Sequence, residues 1–533
     1  MPARPRSGLR STLLVSAATM ASRLLGLLRE QLFASLVGAG FFADAFEVAY
    51  RIPNLLRDLF AEGALSAAFV PTFAKVEQDQ GREAAHQLAN RVIGAITLIV
   101  GAITLLGMLF AAPLVSAMAS GFTATPGKAE LTAKLAQVMM PFLPMLSLAA
   151  VMMGMLNARG QFGTPALAPA LFNIAAIVAG LGLKLAGATG ETAVVGWSLA
   201  TLVGGALQFL VQIPPLWRDG FRLRPLFAGI WQDAALRRIG RLMTPATLGL
   251  AATQLNIFVN TQFASGTPGA NAWLNYAFRL MYLPIGIFGV AIATVTASTL
   301  ARKAAEKDIA GLKLGLGMGL RHTAFLTIPS TVGLMVMAAP VIGLIYQHGR
   351  FQASDTDATA LALVGYAVGL YAYSAVKVIA PAFYALDRPR LPLIASACAV
   401  AANLLLNFSL HHRIGFVGLA LGTSIGAWLN ILVLGLSFGR LTPTLPWPKG
   451  ILSQLGKVTL ASLVMGGVVH VFVGALPMAA VDAGVHIDTL PFRLVLTLGG
   501  VALGGVVYAG LCRLLRISEM QEILDALKRR RAR

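Results

Sequence analysis

The sequence predicts an all-α polytopic membrane protein with fourteen transmembrane helices. Of its 533 residues, 57% are hydrophobic and 12% are charged, whereas a soluble domain carries roughly 25% charged residues. The apolar residues form long continuous runs, and a run of about 20 such residues spans a bilayer as a helix. A β-barrel would show short segments of alternating hydrophobicity instead. This composition excludes a soluble enzyme, a disordered chain and a disulfide scaffold.

Fourteen apolar runs are long enough to cross a membrane. They cover approximately 12–37, 45–73, 88–118, 132–157, 164–185, 190–214, 241–263, 272–300, 316–338, 357–384, 391–410, 415–438, 452–475 and 490–514. The first run follows three arginines, as in a signal peptide, but Arg23 and Arg29 interrupt it. We therefore expect a retained first helix rather than a cleaved signal.

The lysines and arginines predict how the spans are oriented. With the N-terminus in the cytoplasm and residues near a span end counted with the adjoining loop, 30 of the 42 are cytoplasmic, six (Lys128 among them) are on the outer side, and six lie deeper inside spans. Cytoplasmic loops are enriched in these residues, and one missed span would invert every later loop. The distribution predicts that both termini are cytoplasmic. It also explains the net charge of +20 without a nucleic-acid partner.

The second and eighth spans resemble each other at an offset of 228 residues. The coincident pairs are Ala49/Ala277, Arg51/Arg279, Phe60/Phe288 and Lys75/Lys303. Transporters are commonly built from such repeats. We therefore predict an N-lobe over 1–217 with spans 1–6, and a C-lobe over 218–440 with spans 7–12. Residues 441–533 are predicted to form spans 13–14 and a basic cytoplasmic tail.

Ionisable side chains concentrate in the first two spans, where a charge at the bilayer centre costs on the order of 3 kcal/mol. They are Arg23, Arg29, Glu30, Asp44, Glu47, Arg51, Arg57, Asp58 and Glu62. The eighth span adds Arg279, and the tenth adds Lys377, which either snorkels or serves a function. An arginine cluster suits a phosphate or pyrophosphate, because the guanidinium forms bidentate bonds and stays protonated. The alternative is ion pairing of these arginines with neighbouring acids.

The sequence lacks the motifs of the usual chemical machinery. It has no HExxH or CxxC spacing and no Walker motif, so we expect no metal site, no catalytic residues and no ATP-driven step. No loop is long enough for the catalytic domain of a membrane glycosyltransferase. Prolines inside several spans favour a rocking transporter over a rigid channel. We expect no cofactor, apart from a possible coupling cation that we do not place, and a monomer.

A set of local motifs resembles one known family. The motifs are SRLLGLLR at 22–29, GAG at 38–40, DAF at 44–46, PNLLR at 53–57, FAEGA at 60–64, FVP at 69–71, AP at 168–169 with Asn173, RLM at 279–281 with Pro284, GVA at 289–291, YQHGRF at 346–351 and APAFY at 380–384. They resemble the MurJ (MviN) lipid II flippases, which belong to the multidrug/oligosaccharidyl-lipid/polysaccharide exporter superfamily. The resemblance covers essentially the whole chain.

The resemblance implies two helical lobes around a cavity in the bacterial inner membrane. It implies a role in peptidoglycan synthesis, cell-wall biogenesis and cell shape, with lipid II as the partner. Lipid II is an undecaprenyl-pyrophosphate-linked disaccharide pentapeptide, and its headgroup would pass from the cytoplasmic to the outer leaflet by alternating access. The prenyl tail would lie in a groove made by spans 13 and 14.

The resemblance also implies roles for individual residues. The family's essential arginines fall on Arg23, Arg29, Arg57 and Arg279, which we expect to bind substrate, and its functional acids fall on Asp44 and Glu62, which we expect to gate. The open alternative for Asp44 is an N-cap of the second span, since Asp is a favoured cap. This chain departs from some relatives at Phe278 and Tyr282, where those relatives carry acids.

Two rival functions come from the same superfamily. One is a flippase for another polyprenyl-pyrophosphate-linked oligosaccharide, and the inner charges alone do not separate it from a lipid II flippase. The other is a drug or cation antiporter, which would need an acidic or aromatic cavity. The inner arginines of this chain disfavour the antiporter.

Overall fold

The computed structural model describes residues 6–58, 64–442, 450–484, 486–487, 489–522 and 525. The regular structure of these residues is helical, and the all-α class is confirmed. The chain divides into two compact units, one over Met1–Ala272 with His348–Phe351 and one over Trp273–Gln347 with Gln352–Arg533. The division into two six-span lobes and a C-terminal pair stays a prediction.

The first unit contains eleven helices among its described residues. They are α1 (Arg6–Val37), α2 (Phe41–Arg57), α3 (Ala64–Gln80), α4 (Arg82–Leu109), α5 (Ala111–Met118), α6 (Lys128–Met139), α7 (Phe142–Ala158), α8 (Gly163–Leu185), α9 (Gly190–Leu210), α10 (Ile213–Arg218) and α11 (Ala234–Ala264). A short 3₁₀ turn, Ser120–Ala124, precedes α6. Phe69 and Phe73 of α3 are fully buried where α3 packs on α4 and α7.

The second unit contains the remaining described helices, of which the first begins just before the boundary between the units. They are α12 (Ala270–Pro284), α13 (Val290–Ala305), α14 (Ile309–Val336), α15 (Ala338–Ile345), α16 (Ala353–Ala367), α17 (Leu370–Ala385), α18 (Arg390–Ile414), α19 (Phe416–Leu441), α20 (Ile451–Asp482) and α21 (Leu490–Leu514). A π-helical turn, Ile285–Gly289, joins α12 to α13. The offset of 228 carries the start of α2 to within one residue of the start of α12.

Helix length and hydropathy identify candidate membrane spans among the described residues. Ten helical stretches are long and apolar enough to cross a membrane, and the pair α14–α15, bent by 76°, raises the number to eleven. The chain is therefore a multi-pass membrane protein, while the count of fourteen stays a prediction. The first, second and seventh predicted spans are not among these stretches, and each of them includes residues whose placement or side chains lie outside the described part of the chain.

Proline explains some of the breaks between helices. Pro141 lies between α6 and α7, and Pro284 is followed directly by the π-helical turn. Proline lacks an N–H group and clashes with the preceding turn, so it ends or distorts a helix. Pro169 and Pro329, in contrast, lie inside α8 and α14. Prolines therefore interrupt the helices at some positions of this chain and are accommodated inside a helix at others.

A loop from the middle of the chain belongs to the first unit. The backbone N–H of Arg350 donates to the carbonyl of Ser35 near the end of α1, at 3.0 Å. Gly349 has a φ of +62°, and a Cβ there would lie 2.2 Å from the Ser35 carbonyl oxygen. Only glycine permits this approach, which explains why the YQHGRF motif contains a glycine at this position.

The start of α11 is fixed by Asp233. Its carboxylate caps the helix by accepting the backbone N–H of Leu236 at 2.9 Å, and it also pairs with the guanidinium of Arg91 from α4. Burial alone would raise the pKa of Asp233, but these two contacts outweigh burial and hold the pKa below its ordinary value. Asp233 therefore anchors the long helix α11 on α4.

The segment after α21 folds back onto α14. The guanidinium of Arg321 donates to the Glu519 carboxylate at 2.8 Å, and Glu519 is buried. The Tyr508 hydroxyl donates to the carbonyl of Phe325 at 2.7 Å, which ties α21 to the same helix. The described part of the tail is therefore packed against the second unit.

Candidate functional site

The two predicted arginines of α1 have different surroundings. Arg29 has a side chain that is 13% exposed, pairs with Glu30 and lies with its guanidinium carbon 5.1 Å from the centre of the Phe172 ring on α8. Arg23 is exposed. The helical rise places the two about 9 Å apart along the axis. Arg29 is thus a partly buried cation on an aromatic face, whereas the side chain of Arg23 is not covered by other parts of the protein.

Asp44 occupies a buried site in the first turn of α2. Its carboxylate accepts the Lys128 ammonium at 2.7 Å, the Gly269 N–H at 2.6 Å and the Ala272 N–H at 3.0 Å. The N-cap of α2 is Gly40, without a side-chain cap, so the idea that Asp44 caps its own span is wrong. Asp44 instead satisfies amide groups at the start of α12. Ala272 lies 228 residues after Asp44, which is the offset of the sequence repeat. The two residues therefore occupy equivalent positions in the repeat.

Lys128 is a functional candidate that the sequence reasoning missed. It was predicted among the cations of an outer loop, but it begins α6, is 2% exposed and lies 4.2 Å from the centre of the Phe122 ring. The preceding residues, Pro126 and Gly127, are typical of a loop. Nothing in the sequence indicates that Lys128 pairs with Asp44. Only the packing of α6 on α2 brings the two charges together.

Three charged residues of α2 and its C-cap, Asp44, Arg51 and Asp58, are spaced seven positions apart and form one stripe. After Asp44, the guanidinium of Arg51 donates to the Thr261 hydroxyl at 2.5 Å, and the Asp58 carboxylate accepts the Gln254 amide at 3.1 Å. The two partners on α11 are also seven residues apart. Because a spacing of seven returns to nearly the same helix face, the stripe joins α2 to α11 by side-chain contacts.

Arg57 lies off this stripe. Its guanidinium donates to Asp58 at 2.8 Å, so the ion-pair alternative considered for the arginines holds for Arg57. Arg57 also lines a cavity of about 90 Å³ between α2 and the helices α7, α8 and α9. Glu62, the second predicted gating acid, lies outside the described residues.

In the second unit, Arg279 lies in α12, five residues before Pro284. Its Nε donates to the Asn275 side chain at 3.3 Å. One turn after Phe278 comes Tyr282, which receives the Lys377 ammonium at 3.4 Å from its hydroxyl. The Lys377 ammonium also lies 5.7 Å from the centre of the Tyr282 ring. Among the described residues, no group of three or more His, Cys, Asp or Glu side chains is placed to hold a metal ion.

Comparison with known proteins places this architecture in a family. A family model described as lipid II flippase MurJ matches residues 33–487. A probable lipid II flippase MurJ of Vibrio cholerae is 34% identical over 434 residues, covering 80% of this chain and 82% of the relative. A lipid II flippase MurJ of Burkholderia cenocepacia is 34% identical over 469 residues, covering 86% and 89%.

Two solved structures share the fold. A lipid II flippase MurJ in an inward closed conformation has a TM-score of 0.76 at 26% identity, covering 94% of this chain and 99% of the other. An inward-facing MATE family multidrug resistance transporter of the MOP superfamily has a TM-score of 0.66 at 18% identity, covering 81% and 99%. The second likeness concerns the fold alone.

Many apolar helices, with ionisable side chains concentrated on α1 and α2, are the features of a multi-pass membrane transporter. The family model spans most of the chain, and relatives at 34% identity cover most of both sequences. The chain therefore belongs to the lipid II flippase MurJ family, as the motifs predicted.

Proposed function

We propose that this protein moves lipid II from the cytoplasmic to the outer leaflet of the bacterial inner membrane. The observation that carries the proposal is membership of the MurJ family over residues 33–487. The inner arginines support it, because an anionic pyrophosphate needs cations that remain charged away from bulk water. A carrier of cationic drugs would instead place acids along its path.

In this proposal the pyrophosphate is bound by Arg23, Arg29 and Arg279. Arg29 is already oriented by Glu30 and by the Phe172 ring. An arriving pyrophosphate competes with the Glu30 carboxylate for the guanidinium, and its two phosphates accept several bonds at once. A pre-oriented cation loses less side-chain entropy on binding, so Glu30 and Phe172 act as positioning residues.

Asp44 is proposed to act as a gate, together with Lys128. The buried carboxylate satisfies one ammonium and two backbone amides at the start of α12. Separating them exposes an unpaired charge to a low-dielectric interior, which costs several kcal/mol. The contacts of Asp44 with Lys128 and with the start of α12 therefore persist until substrate binding, the membrane potential or a coupled cation offsets that cost.

The remaining features of the proposal follow from the sequence. Both termini are cytoplasmic, the protein acts as a monomer without a resident cofactor, and it carries the headgroup without catalysing a covalent step. The test is reconstitution of the purified protein in liposomes that contain fluorescent lipid II in one leaflet. Appearance of the label in the opposite leaflet, beyond that in liposomes without protein, supports the proposal. A rate equal to that of empty liposomes contradicts it.

A further inference from the structure

Asn173 of α8 makes a polar contact between two helices of the first unit. The residue is 6% exposed, and its side-chain amide donates to the backbone carbonyl of Ser22 on α1 at 2.9 Å. The same nitrogen lies 3.4 Å from the Ser22 hydroxyl. Polar side chains that bond across helices hold transmembrane helices together. Because the acceptor here is a backbone group, the bond fixes the main chain of α1 itself, at the residue directly before Arg23.

A second contact between the same helices involves a glycine. A Cβ at Gly180 of α8 would lie 2.8 Å from the side chain of Leu32 on α1. The small residue therefore lets the two helices approach closely. The Asn173 contact comes first along both helices and the Gly180 contact follows along both, so the helices run in the same direction. The glycine permits a short distance between the helices, whereas the directional bond of Asn173 sets their register.

The residue before Asn173 contacts one of the two arginines of α1. The centre of the Phe172 ring lies 5.1 Å from the guanidinium carbon of Arg29. Ser22 and Arg29 are seven residues apart and therefore lie on nearly the same face of α1. Arg23 follows Ser22 and is turned away from that face by about 100°, in agreement with its exposure. Two adjacent residues of α8 thus determine how α1 presents its two arginines.

The placement of two cations matters most for a ligand that carries two phosphates. Each guanidinium can then donate to a phosphate of its own, whereas a single phosphate offers acceptors at one point only. We propose that Asn173 is a positioning residue, which holds α1 at the rotation and depth at which Arg23 and Arg29 together recognise a pyrophosphate in preference to a single phosphate. This inference rests on the proposed function, in which these arginines bind the pyrophosphate of lipid II. Without the Asn173 bond α1 can turn or slide, and the two cations lose their match to the two phosphates.

The test measures binding of lipid II, undecaprenyl pyrophosphate and undecaprenyl phosphate to the purified full-length protein by native mass spectrometry. The readout is the ratio of the affinities for the pyrophosphate and the monophosphate, because a loss of folded protein lowers both equally. We expect the wild type to prefer the pyrophosphate. Asn173→Leu is similar in size but has no donor, and we expect this preference to fall about tenfold, the equivalent of one interhelical hydrogen bond.

Two further variants separate the hydrogen bond from the size of the side chain. Asn173→Gln keeps an amide donor and retains part of the preference. Asn173→Asp keeps the size of asparagine, but an ionised carboxylate has no N–H to donate. It therefore loses the preference as Asn173→Leu does, and it replaces that variant if leucine prevents folding. Thermal unfolding of each variant reports its folding.

Asn90→Leu serves as the matched control. Asn90 on α4 is 8% exposed, and its side-chain amide also donates to a backbone carbonyl, that of Arg222 at 3.1 Å. The control thus removes the same type of bond from a residue that does not hold α1, and it keeps the wild-type preference. A wild type without preference for the pyrophosphate, a full preference in a folded Asn173→Leu or Asn173→Asp protein, or an equal loss in Asn90→Leu overturns the positioning role and leaves the proposed function intact. Failure of the wild type to bind lipid II contradicts the proposed function instead.

Discussion

The Lys128 ammonium donates to the Asp44 carboxylate at 2.7 Å, and the two side chains are 2% and 0% exposed. Neither charge reaches water, so each depends on the other. Removing one partner of a buried pair costs about 3–5 kcal/mol, whereas replacing both is often neutral. A variant that lacks both charges is therefore expected to stay folded. Its transport then shows whether the pair acts as a gate or has only a structural role.

We expect Asp44→Asn and Lys128→Met each to lower the thermal stability of the detergent-purified protein, because each leaves one buried charge unpaired. The double variant recovers most of that loss, since both charges are gone. Thermal unfolding of the four proteins measures this coupling. Losses that simply add in the double variant contradict the pairing.

Transport by the same double variant tests the gate. If Asp44 and Lys128 act by opening and closing, the double variant stays folded but transports poorly. Normal transport by this stable double variant would remove Asp44 from the functional residues and leave the pair a structural role.

Arg279→Ala is expected to abolish transport and to leave folding intact, because the loss is of a ligand-binding cation. Arg279→Lys restores transport only in part, since a point charge lacks the bidentate geometry of arginine. Complementation of a depleted host, with protein level measured in the membrane, checks both. Arg82→Ala, which removes an arginine whose side chain is 63% exposed, is the control and keeps activity. Full activity of Arg279→Ala contradicts its role.

Asp233 makes the stability of α11 depend on pH. Its pKa is held below the ordinary value in the folded protein, so its contribution is present at neutral pH. That contribution is lost as the pH falls below about 4 and through the lowered folded value. Asp233→Asn retains a cap without a titratable charge and flattens this dependence, whereas Asp233→Ala loses about 1 kcal/mol at neutral pH. Thermal unfolding between pH 3 and pH 7 measures both effects, and identical pH profiles for wild type and Asp233→Asn contradict the assignment.

Much of the fold was predictable from periodicity and composition, because long apolar runs have few alternatives to membrane helices. Each of the fourteen predicted runs falls on one helix or on consecutive helices. The positions at which helices end or are distorted were less predictable. Proline ends a helix at Pro141 but is tolerated inside α8, since neighbouring helices can re-satisfy the freed backbone groups.

The site was predictable only where chemistry is local in sequence. Arg57 and Asp58 are adjacent, so their ion pair could be foreseen. The Asp44–Lys128 pair joins residues 84 positions apart, and the contact between Asp44 and the start of α12 spans 228. Such contacts depend on how helices pack, and a single sequence does not encode that packing in any local pattern.

The predicted topology can be tested by cysteine labelling in a variant without Cys398 and Cys512. Single cysteines placed within 120–130 and 264–270 should react with a membrane-impermeant reagent from outside. Those within 217–240 and 304–312 should react only after permeabilisation. This pattern follows from the excess of basic residues on the cytoplasmic side. Reversal of either pair means that a span was miscounted.

Depletion of this protein in its host tests most directly whether it exports lipid II. Lipid II exposed on the outer face of the inner membrane is measured by its accessibility to an externally added lipid II-cleaving enzyme. We predict that exposure falls while total lipid II accumulates, and that wild-type protein, but not Arg279→Ala, restores exposure. Unchanged exposure after full depletion, in a host with no second flippase, would contradict the account.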